Sequence, residues 1–171
     1  MRVLGVDCGS EATGYGLIES DGRRHRPLAV GTIRSNARMP FPERLNRIHQ
    51  TLTALLLEYH PDCVAIEDVF YARNVRSALK LGHVRGVVMQ AAAALDISVA
   101  EYAPLAVKSA VTGYGKAEKP QVLHMVKILL NLSEDPDSLD ASDALAVAIC
   151  HVHHGTSVLG MAMAQPGGRK R

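Results

Sequence analysis

The chain has 171 residues, 47% of them hydrophobic and 21% charged, with a formal net charge of +2. That length fits one domain able to bury roughly two-thirds of its unfolded surface, and the composition is that of a globular protein rather than a fibrous or disordered one. No run approaches the roughly 18 uninterrupted apolar residues of a membrane span, and the first residues enter a strand-like pattern with no secretory or transit signal, so the chain is expected in the cytoplasm.

The first third reads as strands. "RVLGVD" over 2–7 is a short apolar run ending in an acid. "GYGLIES" follows a glycine-rich loop, and "RPLAVGTIRS" comes after the polar turn "SDGRRH". Turns this short favour antiparallel neighbours. "FPERLNRIHQTLTALLLEYH" then sets Leu45, Ile48, Leu52, Leu55, Leu56 and Tyr59 at helical spacing, with Pro42 suited to a first turn. "PDCVAIEDVF" carries a buried-strand run at 63–66, again ending in acid.

The second half alternates. A long helix is predicted over 77–95, then a strand in "ISVAEY" and a short helix in "PLAVKSAVTG" closed by Gly113. Two further helices follow, in "AEKPQVLHMVKILLNL" and "SLDASDALAVAICHVHHG". The expectation is a single α/β domain over 1–155, with a five-stranded mixed sheet and helices on both faces. A disordered basic tail is expected over 156–171.

Four carboxylates stand out. Asp7 and Glu67 each end an apolar strand run, where ligands and chemistry gather in α/β sheets. Asp140 and Asp143, three apart on the last helix, share one face in an apolar, small-residue context. Ionised acids there are costly unless compensated. Divalent cations would compensate them, and oxygen-only ligands suit Mg²⁺ or Mn²⁺ rather than zinc. Two such ions roughly 3.5–4 Å apart can clamp the attacking and leaving oxygens of phosphodiester cleavage. Asp140 near a helix start also suits the macrodipole alone, and Glu67 also suits an ordinary strand-end charge. Gly9, Gly14 and Gly16 are read as turn residues that let a phosphate chain approach the backbone beside Asp7.

Other features are less pointed. Basic residues gather at Arg23, Arg24 and Arg26, at Arg73, Arg76, Lys80 and Arg85, and at Lys108, Lys116 and Lys119, each group also consistent with a solvated face. Gly82 and Gly86, beside Val87, Ala91 and Ala94, allow close approach either to the chain's own sheet or to a second copy across a two-fold axis. Cys8, Cys63 and Cys150, in no CxxC spacing, are read as reduced and mostly buried. His151 and His154 are read as a solvated helix end.

"LGVDCGSEATGYGLIE", "AIEDVFYARNVRSALKLGHVRGV", "VKSAVTGYGKAEKPQVLHMV" and "DASDALAVAICH" together resemble, in order, the successive motifs of the RuvC family of Holliday junction resolvases. The resemblance runs from about residue 2 to 154 and implies an RNase H-like fold and a homodimer. It also implies a metal-dependent endodeoxyribonuclease that nicks four-way DNA junctions symmetrically, leaving 5′-phosphate and 3′-hydroxyl ends. The family's acidic quartet corresponds to Asp7, Glu67, Asp140 and Asp143, and its lysines near the scissile phosphate to Lys108 and Lys119. The loop aromatic corresponds to Phe70, with Arg73, Asn74 and Arg76 beside it for DNA contact. The long helix, with Leu79, Gly82 and Gly86, corresponds to the dimer interface. Branch-migration proteins RuvA and RuvB are the implied partners.

One departure is Cys8, where family members commonly have Pro, which places a thiol beside the acidic site. Another RNase H-like nuclease acting on RNA or other branched nucleic acid, and a non-catalytic junction-binding module, are the competing readings. A two-lobed ATPase is excluded because 171 residues with one such loop cannot supply a second lobe.

Overall fold

Three antiparallel strands open the chain in the computed structural model, which describes residues 1–36, 38–68 and 75–163. They are β1 (Arg2–Asp7), β2 (Ala12–Ser20) and β3 (His25–Arg34), followed by α1 (Phe41–Tyr59), β4 (Cys63–Glu67) and α2 (Val75–Ala93). Then come β5 (Ser98–Tyr102), α3 (Pro104–Thr112), α4 (Lys119–Leu130) and α5 (Leu139–Met163). The sheet order is β3-β2-β1-β4-β5. β1 pairs antiparallel with β2 and parallel with β4, so the sheet is mixed, as the strand pattern predicts.

Period-two alternation sorts the side chains of the central strands. Leu4 and Val6 of β1, Leu17 of β2, and Val64 and Ile66 of β4 pack with Ile48, Leu52 and Leu56 of α1 and Val84 and Val88 of α2. Val3, Ile18 and Ala65 face the other way, into a second cluster with α3, α4 and α5. Helices therefore cover both faces. α5 is apolar nearly all round, with Ala141 and every residue from 144 to 150 buried, because it lies between the sheet and the outer pair α3 and α4.

The strand glycines explain how α5 comes so near. A Cβ added at Gly5 would stand 2.0 Å from the Ala144 carbonyl oxygen, and one at Gly14 would stand 1.9 Å from that of Asp140. At Gly16 it would meet the Leu145 side chain at 2.7 Å. Gly14 and Gly16 thus admit a helix backbone rather than a phosphate chain, which corrects the sequence reading. Gly9 belongs to the turn itself, where a Cβ would lie 2.0 Å from the Ala12 carbonyl.

Several boundaries differ from the pattern, with β2 starting at Ala12 and α2 ending at Ala93 among them. α2 starts at Val75, ahead of the predicted 77, and α5 runs on through Gly155 to Met163. Phe70, Arg73 and Asn74, and residues 164–171 of the expected tail, lie outside the described residues. Among the described residues no helix is long and apolar enough to cross a membrane.

Candidate active site at the strand ends

Asp7 and Glu67 are the last residues of two neighbouring parallel strands. Each follows a side chain aimed at α1 and α2, Val6 and Ile66 respectively, so alternation turns both carboxylates toward α5. The first turn of α5 meets them there. Its N-terminus is capped by Ser138, whose Oγ accepts the Ala141 N–H at 3.0 Å and is itself hydrogen-bonded to the Thr32 hydroxyl of β3. This moors the turn that carries Asp140 and Asp143 to the sheet.

Asp7, Glu67, Asp143, Lys108 and Lys119 line one cavity of about 260 Å³, walled by Val107, Val122 and Ala146. Asp140 is not among the lining residues; its backbone lies against Gly14, and its charge still acts on Asp7. Lys119 opens α4 and donates from Nζ to Asp143 Oδ2 at 2.7 Å. Lys108 enters from α3 half-buried. Sequence reasoning missed Ser138 and Thr32: Ser138 stands two residues before Asp140, where an N-cap could have been read, whereas Thr32 is far from the acids in sequence.

The acids strain against one another. Burial, followed by the charges of Asp143, Glu67 and Asp140, pushes the Asp7 carboxyl up to about 7. Glu67 is also raised, first by burial and then by Asp143, with Lys119 and Lys108 working against the shift. The hydrogen bond to Asp143 holds the Lys119 ammonium above its ordinary range. Lys119 and Lys108 therefore act as built-in counter-ions, but two ammonium groups do not balance four carboxylates.

The donor set is carboxylate oxygen throughout, the chemistry that hard divalent cations prefer. Excess negative charge confined beside a cavity favours such an ion. Among the described residues no group of three His, Cys, Asp or Glu side chains stands at common metal-ligand spacing, and Asp143 is engaged by Lys119. The set fits a cation by charge and ligand type.

Cys8 points with Leu4 and Val6 into the opposite core, away from the acids. Burial, then the Asp7 charge, pushes its thiol up to about 12, so it is a protonated packing group beside the site. Cys63 and Cys150 are free and buried, as expected. His151 departs from its reading as a solvated end: it is half-buried, with Nδ1 2.8 Å from the Tyr102 hydroxyl. The exposed His154 ring packs 5.1 Å from that of Tyr102.

Leu79, Gly82 and Gly86 are not part of this site. They line a separate open groove of about 860 Å³ along α2, with Leu45 and Val87. A Cβ at Gly82 or Gly86 would meet nothing within 4 Å, so these glycines are not packed on their own sheet. Val75 and Leu79 are 77% and 60% exposed beside them. Arg76 is exposed at the start of α2.

A five-stranded mixed sheet whose central strand ends meet an acidic helix N-terminus defines an RNase H-like nuclease fold. A family model described as crossover junction endodeoxyribonuclease RuvC matches residues 3–151. A Koribacter versatilis crossover junction endodeoxyribonuclease RuvC is 55% identical over 162 residues, covering 94% of this chain and 98% of the relative. The Thermus thermophilus RuvC structure is 33% identical with a TM-score of 0.86, covering 92% of this chain and 97% of that one. T. thermophilus RuvC in complex with Holliday junction substrate has a TM-score of 0.89 at 33% identity, with 92% and 96% covered. The chain belongs to the RuvC family of crossover junction endodeoxyribonucleases.

Proposed function

We propose that this chain resolves four-way DNA junctions in recombination and repair, hydrolysing one phosphodiester in each of two symmetric strands to leave 5′-phosphate and 3′-hydroxyl ends. The observation that carries this reading is the cavity in which Asp7, Glu67 and Asp143 meet Lys108 and Lys119. Family membership and the likeness to a relative described with a Holliday junction substrate support the choice of DNA.

Asp7, Glu67, Asp140 and Asp143 are the residues that would hold divalent cations, Mg²⁺ or Mn²⁺ and two per site in this reading. Such ions would supply an activated water and charge neutralisation at the phosphate. The protein's own share is positioning. β1 and β4 fix Asp7 and Glu67, the Ser138 cap fixes the α5 turn, and Lys108 and Lys119 offer point charges to phosphate oxygens. Val107, Val122 and Ala146 give the cavity an apolar wall.

Two incisions on one junction ask for two sites, and the open α2 groove with Leu79, Gly82 and Gly86 suits a homodimer. Arg76, with Phe70, Arg73 and Asn74 preceding it, is assigned to DNA contact. RuvA and RuvB are the proposed partners, and the bacterial cytoplasm, where the chromosome lies, the proposed compartment.

The test is cleavage of a synthetic four-way junction beside a linear duplex of the same sequence, with Mg²⁺ and then with EDTA. Paired, symmetric, metal-dependent nicks confined to the junction are expected. Cleavage of both DNAs, or of an RNA hybrid instead, would indicate a more general RNase H-like nuclease; binding without cleavage would indicate a junction-binding module.

A further inference from the structure

Arg85 is read from the sequence only as one member of a basic group on a helix. In the structure its side chain is 11% exposed, and it spans from α2 to the strand ends. One guanidinium nitrogen donates to the backbone carbonyl of Glu67. The other pairs with the Glu101 carboxylate of β5 and with Asp68 Oδ1 at 3.2 Å. Asp68 is held from the other side as well, its N–H donating to the Tyr102 carbonyl at 2.7 Å. The backbone around Glu67 is thus gripped by β5 through a main-chain bond and by α2 through one guanidinium.

We propose that Arg85 is a positioning residue that fixes the Glu67 strand end from α2, the helix whose other flank forms the open groove. This rests on the reading of Glu67 as part of the active site. The planar fork of arginine is what the arrangement needs, because it serves a carbonyl and two carboxylates from two nitrogens in one plane. A lysine, with a single nitrogen, reaches one of these acceptors well and the others poorly. Glu101 and Asp68, both well exposed, serve as anchors for the arginine. Because Gly82 and Gly86 flank Arg85 on the same helix, whatever seats in that groove bears on the element that holds Glu67.

The experiment compares wild type with Arg85→Ala and Arg85→Lys on a synthetic four-way junction with saturating Mg²⁺. It measures kcat, junction Kd and amide hydrogen exchange at Asp68. Arg85→Ala is expected to lower kcat at least tenfold, change Kd less than threefold and speed Asp68 exchange. Arg85→Lys is expected to recover part of both losses. If Arg85→Ala fails to fold, Arg85→Lys and Glu101→Gln are read in its place, with smaller losses in kcat and the same Kd. A folded variant with wild-type kcat and unchanged Asp68 exchange overturns the proposal. So does one that loses junction binding as much as turnover. Wild-type cleavage tests the functional reading separately, and Asp68 exchange reports on Arg85 even if the wild type cleaves nothing.

Discussion

Gly14 of β2 lies so close to Asp140 of α5 that a methyl group in place of its hydrogen would stand 1.9 Å from the Asp140 carbonyl oxygen. The obstacle is backbone, which no rotamer change relieves, so the helix or the strand would have to move. Gly14→Ala is expected to destabilise the fold by about 3 kcal/mol and to lose cleavage with it, measured by urea unfolding and junction assay. Gly82→Ala is the control, because its Cβ enters open space. Replacing an exposed helical glycine should stabilise the isolated chain by about 1 kcal/mol, while weakening self-association if the groove is the dimer contact. Equal destabilisation by the two substitutions would be inconsistent with this packing.

Asp7→Asn keeps the shape of the strand end and removes one charge from a crowded set. Cleavage should be abolished with junction affinity within a few-fold of wild type. The metal-free variant should also melt above the wild type at pH 8, since it relieves repulsion. A variant that still cleaves near the wild-type rate would refute the carboxylate site.

The raised Asp7 carboxyl sets the direction of a pH effect. Its folded-state value of about 7 lies above the ordinary 3.8, so the folded chain holds this proton more tightly than the unfolded chain. That contribution is fully present below about pH 4 and is lost as pH rises toward 7, an effect on the order of 4 kcal/mol before relaxation. Cations compete with the same proton. Added Mg²⁺ should therefore raise the melting temperature more at pH 8 than at pH 6, and EDTA should erase the difference. An equal shift at both values would detach Asp7 from cation binding.

Lys119 is the one cation hydrogen-bonded to a candidate carboxylate among the described residues, at 2.7 Å from Asp143. Lys119→Met should cut turnover by roughly 10²-fold with little change in melting temperature, because the side chain is 61% exposed. Lys119→Arg is expected to recover little, since a planar fork does not reproduce a point charge. Turnover by Lys119→Met within threefold of wild type would assign the lysine to the surface.

Asp7 and Glu67 could be read as site residues because each is an acid ending an apolar run, and burial contradicts an acid unless something uses it. Asp140 and Asp143 followed from helical spacing. What the sequence could not carry was depth: Asp143 lines the cavity while Asp140 does not, its backbone packing against Gly14. The strand glycines were misread for the same reason, since a local pattern does not show which backbone will approach. Arg85 was opaque because its partners come from two other elements, β4 with its following residue and β5.

α5 supplies Asp140 and Asp143 and also fills the core across β1 and β2, yet it follows all five strands in chain order. Asp7 and Glu67 therefore precede in the chain the helix that completes their site, and the acidic cluster closes only once α5 packs on the sheet. A chain cut before α5 lacks Asp140 and Asp143 and the helix that packs on β1 and β2. The acidic cluster exists only in a molecule whose sheet has received α5.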